Sequence, residues 1–316
     1  MEKLEYDIKD KTIDIKVPDD LRKGYVNNLK KSYDFKIDGI FDTNSSQEDI
    51  FNKIGKKVVK KYILFYLPLF ITQNQSSIEG YNNTVFCYGQ TGGGKTFTMC
   101  GSKVWKERGL IPRFIVDLFK QIKSIKNYEY EVYVSFLEIY NENAYDLLEK
   151  QHSEIDIENW KKIVVYEDNN SNIILKNLSM IKVENEHQAL DMLMTGSFIR
   201  HVSSTPMNLA SSRSHAIFSL VLEGKDSSDI TRVSKINLVD LAGSERMRSI
   251  RYDPSLTNET KHINLSLSFL EQVIIALNQK STGRTHIPYR NSLMTTILKD
   301  SLGGNCKTVI NLTEDI

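Results

Sequence analysis

The stretch Gly89-Gln90-Thr91-Gly92-Gly93-Gly94-Lys95-Thr96 constrains this chain more than any other. It matches G-x-x-x-x-G-K-[ST], follows a strand-like run from Thr84 to Tyr88, and opens into Phe97-Thr98-Met99. The glycines let backbone N–H groups turn inward around a phosphate without a clashing Cβ. Lys95 then neutralises the outer phosphates, and the Thr96 hydroxyl can ligate Mg²⁺. With glycine at about 7% of residues, four fixed positions match by accident in roughly one chain in a hundred of this length. A plain glycine-rich turn is therefore the weaker reading, and a nucleoside triphosphate site the stronger.

The bulk composition narrows the partners. At 316 residues the chain can bury the core of one large α/β domain. A net charge of +1 gives no global drive toward nucleic acid or membrane, so neither is expected as a partner. Cys87, Cys100 and Cys306 are too widely spaced for a disulfide framework or a zinc site, which fits a reducing intracellular compartment. No signal peptide opens the chain. The apolar run from Tyr62 to Ile71 is too short to span a bilayer, and Pro68 interrupts it.

No internal repeat or low-complexity linker is present, so 1–316 reads as a single domain. Strand-like alternation marks Tyr128 to Ile139, Ala216 to Leu222 and Val233 to Val239. Helical spacing is clearest at Ile263, Leu267, Leu270, Ile274 and Leu277, with Asn264 as a cap. A second helix is expected from Ser292 to Leu302, capped by Asn291 and stopped by Gly303-Gly304. Strands interleaved with helices, with a phosphate loop at a strand's end, predict an α/β fold. Its central sheet is mixed to mostly parallel, with helices on both faces.

Two further segments add chemistry. Asn208-Leu209-Ala210-Ser211-Ser212-Arg213-Ser214-His215 is, by itself, more often a solvated serine-rich loop. Asp240-Leu241-Ala242-Gly243-Ser244-Glu245 ends a strand, and an Asp there is placed to hold Mg²⁺ through water. In this order, the three segments resemble the kinesin motor domain: its phosphate loop, first switch and second switch. The resemblance continues in Gly80-Tyr81-Asn82, in Phe136 to Glu142, in His286 to Ser292 and in Asp300 to Thr308, and covers roughly residues 30 to 313. Gly24 to Asn28, Thr205 to Asn208, Leu270 to Leu277, Asn291 and Met294 are similar to the ninth kinesin family, associated with cilia and flagella.

That resemblance implies a microtubule-stimulated ATPase acting on ATP with Mg²⁺ in the cytoskeleton. Lys95 and the Gly92 to Thr96 amides would hold the β- and γ-phosphates, with Gly89, Gln90 and Thr91 completing the loop. Thr96 and Ser212 would reach the metal, and Asp240 would bind it through water. Ser211 would position the lytic water, the Gly243 N–H would sense the γ-phosphate, and Arg213 would pair with Glu245 across the pocket. The helix from Ile263 to Asn278 would move against the microtubule. Lys280, Arg284, His286, Arg290 and Lys299 would face acidic tubulin, although a solvated charged face explains each of them singly as well. A longer parent would carry a coiled-coil stalk and dimerise, although this chain shows no heptads.

Several features depart from the family. Leu265 and Thr296 stand where basic residues are common, which implies weaker and salt-sensitive microtubule electrostatics. No Arg-x-Arg-Pro-type adenine contact occurs in Met1 to Phe35; Met1 to Val17 can form a peripheral hairpin, and the sheet is expected to lack a strand beside Thr308 to Leu312. The stretch 60–75 is an extra apolar segment whose composition and splice-compatible borders suggest a retained intron. These departures keep a second reading open: a pseudo-motor that binds microtubules or nucleotide without turnover.

Overall fold

The computed structural model describes residues 5–9, 11–16, 32–56, 82–124, 128–149, 159–202, 213–226, 231–245, 254–283 and 285–313. The extra segment 60–75 lies outside these residues. The chain forms two compact units, Met1–Ser46 and Gln47–Ile316. In the first, β1 (Glu5–Lys9) and β2 (Thr12–Lys16) pair antiparallel as a hairpin, and β3 (Ser32–Lys36) adds to β2.

The second unit is built on a nine-stranded sheet. Its strands are β4 (Asn82–Gly89), β5 (Tyr128–Tyr140), β6 (Asn143–Asp146), β7 (Lys162–Glu167), β8 (Ile173–Lys176), β9 (Ile181–Val183), β10 (His215–Asp226), β11 (Thr231–Asp240) and β12 (Cys306–Thr313). The order is β12-β4-β11-β10-β5-β6-β7-β8, with β9 on β5. Strands β12, β4 and β11 are parallel, while β10 runs antiparallel to β11 and β5. The sheet is therefore mixed, as expected, and β12 ends the described order.

Side chains alternate across a strand, so neighbours feed opposite cores. Val85, Phe136, Phe218 and Leu238 face one core, with α1 (Gln47–Ile50), α3 (Leu110–Ile122) and α4 (Glu186–Val202) supplying Ile50, Phe114, Leu118 and Leu193. Phe86, Leu137, Ile217 and Val239 face the other, against α5 (Pro254–Asn278), α6 (Leu293–Ile297) and α7 (Lys299–Gly303), which supply Leu267, Leu270, Met294 and Leu302, with Leu298 between the last two helices. Double-sided burial explains why these strands read as nearly continuous apolar runs. The short helix α2 (Lys95–Met99) follows the phosphate loop directly.

Two helix boundaries differ from expectation. Helix α5 begins at Pro254, so Asn264 lies inside it and caps nothing. Proline suits the first helical position, where its missing N–H costs nothing. The expected Ser292–Leu302 helix is two short helices broken at Leu298 (ψ 14°), and its cap is Ser292. Ser292 Oγ accepts from Thr295 N at 3.1 Å, a capping box that outcompetes Asn291. No helix among the described residues is long and apolar enough to cross a membrane.

Candidate nucleotide site and its switch loops

Strand direction brings the three candidate segments to one end of the central strands. Parallel strands β4 and β11 both end there, at Gly89 and Asp240, and antiparallel β10 begins there, at His215. The register aligns Glu138, Ala216, Asp240 and Cys87 in one row across β5, β10, β11 and β4. A crevice outside the carboxyl ends of parallel strands is where α/β sheets bind ligands.

Within the phosphate loop, Gly92 and Gly94 have φ of +86° and +84°, and a Cβ on either would meet nothing within 4 Å. The backbone thus curls in a left-handed conformation around open space, which is what a phosphate cradle requires. Lys95 is buried and folds back over the loop, its Nζ donating to the Gln90 carbonyl at 2.7 Å. Burial pushes its pKa down, with Asp240 and Glu245 opposing that shift. Phe97, on the next turn, is 48% exposed.

The strand-end acid meets this loop directly. Thr96 Oγ1 donates to Asp240 Oδ2 at 2.8 Å, while Asp240 Oδ1 is buried without a hydrogen-bond partner. A threonine oxygen beside a carboxylate with an unused buried oxygen is a donor set that suits Mg²⁺, a hard cation that takes few protein ligands and completes its shell with water and phosphate. The residues present fit the ion.

The loop after Asp240 is laced to the same base. Leu241 N donates to Cys87 O at 3.3 Å, and Ser244 N to Gly89 O at 3.0 Å. Glu245 accepts from Thr91 N at 2.7 Å and Thr91 Oγ1 at 2.5 Å. Burial works against the Glu245 charge, but these bonds outweigh it and hold its carboxyl below the usual range. Gly243 lies under this contact: a Cβ there would sit 2.2 Å from Thr91 Oγ1. The carboxylate that the sequence reading assigned to Arg213 is thus engaged with the phosphate loop in this conformation. Arg213 is half-buried in the turn before β10. Ser211 and Ser212 lie outside the described residues.

Sequence reasoning missed the group beneath the site. Arg200, on the buried face of α4, places Nη1 2.8 Å from Asp240 Oδ2 and Nε 3.6 Å from Glu138 Oε1. Ser214 completes the cluster, donating Oγ to Glu138 Oε1 at 2.5 Å and accepting at its carbonyl from Arg200 Nη2 at 3.1 Å. Burial raises the Glu138 pKa, opposed by Arg200 and Ser214. The available signal was positional. Arg200 continues the buried stripe of Ala189, Leu193 and Gly196, and Glu138 interrupts an apolar strand. A charge at a core position calls for a buried partner.

The described candidate microtubule-facing residues belong to other elements. Lys280 is exposed in the turn Gln279–Thr282, and His286 is exposed in the following loop. Arg290 Nη2 and Lys299 Nζ both bind Glu167, at 2.6 and 2.8 Å. Thr296 turns inward, its Oγ1 donating to Ser292 O at 2.9 Å. Leu265 is 41% exposed on α5, together with Ile275 at 54%. Arg284 lies outside the described residues.

Comparison with known proteins agrees with this geometry. The family model described as the kinesin motor domain matches residues 5–313. Kinesin-like protein KLP1 of Chlamydomonas reinhardtii is 40% identical over 95% of this chain and 36% of its own length. Kinesin-like protein KIF9 of Mus musculus is 40% identical over 98% of this chain and 37% of its own. The chain therefore spans little more than a third of the length of these relatives. A solved structure of a fast kinesin superposes with a TM-score of 0.79 at 33% identity, covering 99% of this chain and 79% of that one. A match that runs almost from end to end, in sequence and in backbone alike, leaves one conclusion: the chain belongs to the kinesin motor-domain family.

Proposed function

We propose that this chain is the ATP-hydrolysing, microtubule-engaging head of a cytoskeletal motor. The observation that carries this reading is the Thr96–Asp240 hydrogen bond, which joins the phosphate loop to a strand-end acid that keeps one oxygen unused. Phosphoryl transfer to water needs positioning and charge stabilisation more than covalent chemistry. Lys95, already bent over the loop, would exchange its bond to the Gln90 carbonyl for the β- and γ-phosphates of ATP. The Gly89 to Thr96 amides would cradle the same oxygens, and the exposed Phe97 ring offers a face for the base. Thr96, Ser212 and Asp240 would hold Mg²⁺, which when bound neutralises phosphate charge.

Ser211 would orient the attacking water, and the Gly243 N–H would meet the γ-phosphate. Arg213 would then pair with Glu245 only after Glu245 lets go of Thr91, so closing the site requires the second loop to leave the phosphate loop. Steady-state phosphate release from ATP, with and without microtubules, tests the proposal. A folded sample with no stimulation would point to the pseudo-motor instead.

Lys280, Arg284, His286, Arg290 and Lys299 would form the surface for acidic tubulin, with the exposed face of α5 between them. The ninth-family residues and the 40% identity to KIF9 and KLP1 support a role in cilia or flagella, as part of a parent that dimerises through a coiled coil. Imaging the tagged complete protein along axonemes, and sedimenting it, checks both.

A further inference from the structure

His215 closes the serine-rich segment, and its ring is buried between two elements that the proposed function requires to move together. On one side Ala242 N donates to His215 Nδ1 at 3.1 Å. Accepting that proton fixes the tautomer, so Nε2 carries the hydrogen and donates to Ser266 Oγ at 2.9 Å. Ser266 in turn donates to the Ile263 carbonyl of its own helix at 2.8 Å. The chain of bonds runs from the backbone next to Gly243, through a rigid ring, into α5.

Helix α5 has a second attachment of a different kind. Tyr88 OH donates to Glu271 Oε1 at 3.0 Å, and Tyr88 belongs to β4, a central strand flanked by β11 and β12. One end of this span of helix is thus pinned to the sheet, and the other is tied to a loop. A shift at Ala242 would pull on Ser266 while Glu271 stays put, turning a local backbone change into rotation of the helix. A ring suits this task because it is stiff, presents an acceptor and a donor on opposite sides, and here is buried. Burial, and then the Arg200 and Lys95 charges, push its pKa down to about 3, so it stays in the neutral form that both bonds need.

We propose that His215 is a positioning residue that transmits the state of the Asp240–Glu245 loop to helix α5 through Ser266. This rests on the ATPase reading above, which supplies the reason for the loop to move. The test is hydrogen exchange of the α5 amides with ADP and with a non-hydrolysable ATP analogue. The wild-type chain should show protection differing between the two states. Ser266→Ala, a small change in a helix interior, should erase that difference while phosphate-loop protection by nucleotide persists. It should also cut microtubule stimulation about tenfold while leaving basal turnover within a factor of two or so. Ser266→Thr keeps the hydroxyl and should behave as wild type. His215→Ala should reproduce Ser266→Ala, and the double variant should be no worse than either.

If Ser266→Ala keeps the wild-type α5 response, or if the wild-type α5 never responds although nucleotide protects the phosphate loop, the link is wrong. If nucleotide does not protect the phosphate loop at all, the ATPase reading itself fails. Should His215→Ala not fold, the two Ser266 variants still decide.

Discussion

Arg200 Nη1 lies 2.8 Å from Asp240 Oδ2, the same oxygen that receives the Thr96 hydroxyl. One buried guanidinium therefore holds the strand-end acid in place and also balances Glu138, two strands away in the same row. Breaking such a pair from one side leaves uncompensated charge in the interior. Arg200→Ala should cost about 3–5 kcal/mol of stability, read from the urea unfolding midpoint. A loss under about 1 kcal/mol would mean that water reaches these carboxylates and that the cluster is not sealed.

Lys95 donates to the neighbouring Gln90 carbonyl, a bond that a phosphate oxygen can replace. Lys95→Ala should lower ATP turnover by about 10²–10³ while the melting temperature barely moves. Chelating magnesium with EDTA should abolish turnover. Asp240→Asn should raise the magnesium concentration needed for half-maximal rate. Turnover that is indifferent to EDTA would remove the metal from the account.

Gly243 tolerates no side chain, for a reason of space. The Cβ of an alanine would lie 2.5 Å from Glu245 Oε2 as well as against Thr91. Gly243→Ala should push the two loops apart and reduce phosphate release about tenfold or more. Thermal stability should change by under about 1 kcal/mol, because the contact lies at the rim of the core. Comparing the two readouts on one preparation separates a displaced loop from a damaged fold.

Glu167 draws on two cations of the proposed tubulin surface. Side-chain hydrogen bonds from Lys299, then Arg290, hold its carboxyl down at about 2. Tubulin's acidic surface must compete with this residue for both partners. Glu167→Gln should tighten microtubule co-sedimentation several-fold at low salt and make it more salt-sensitive, since two cations would then lack their internal counter-charge. Weaker binding would show instead that Glu167 holds Arg290 and Lys299 in their productive pose.

Acid should destabilise the chain in two stages. His215 is held at about 3 against an ordinary 6.5, so its contribution is complete above 6.5 and is lost as pH falls toward 3. Glu167, held at about 2 against 4.5, contributes above 4.5 and loses that contribution as pH falls toward 2. Both slopes have the same sign; between 6.5 and 4.5 His215 sets it, while the buried Glu138, whose carboxyl is pushed up, works in the opposite sense. The wild-type melting temperature should therefore fall more steeply, as pH drops from 6.5 to 4.5, than that of His215→Asn.

The phosphate loop was legible in one dimension because its chemistry is local: glycines that accept positive φ, then a lysine and a threonine in fixed order. The central strands were legible too, since burial on both faces forces apolar residues into continuous runs. Helix ends were less so. Pro254 was a usable start signal for α5, but the strongest periodicity begins at Ile263, and the Ser292 cap competed with an equally plausible Asn291.

Family, sheet-and-helix architecture and nucleotide loop are all written in neighbouring residues. Folding in three dimensions was needed to show that Arg200 holds Asp240, that Glu245 rests on Thr91, that Glu167 claims Arg290 and Lys299, and that His215 reaches α5. Those pairings join residues 40 to 154 positions apart. They depend on strand order and register, which place distant side chains on one row, and no local spacing encodes that.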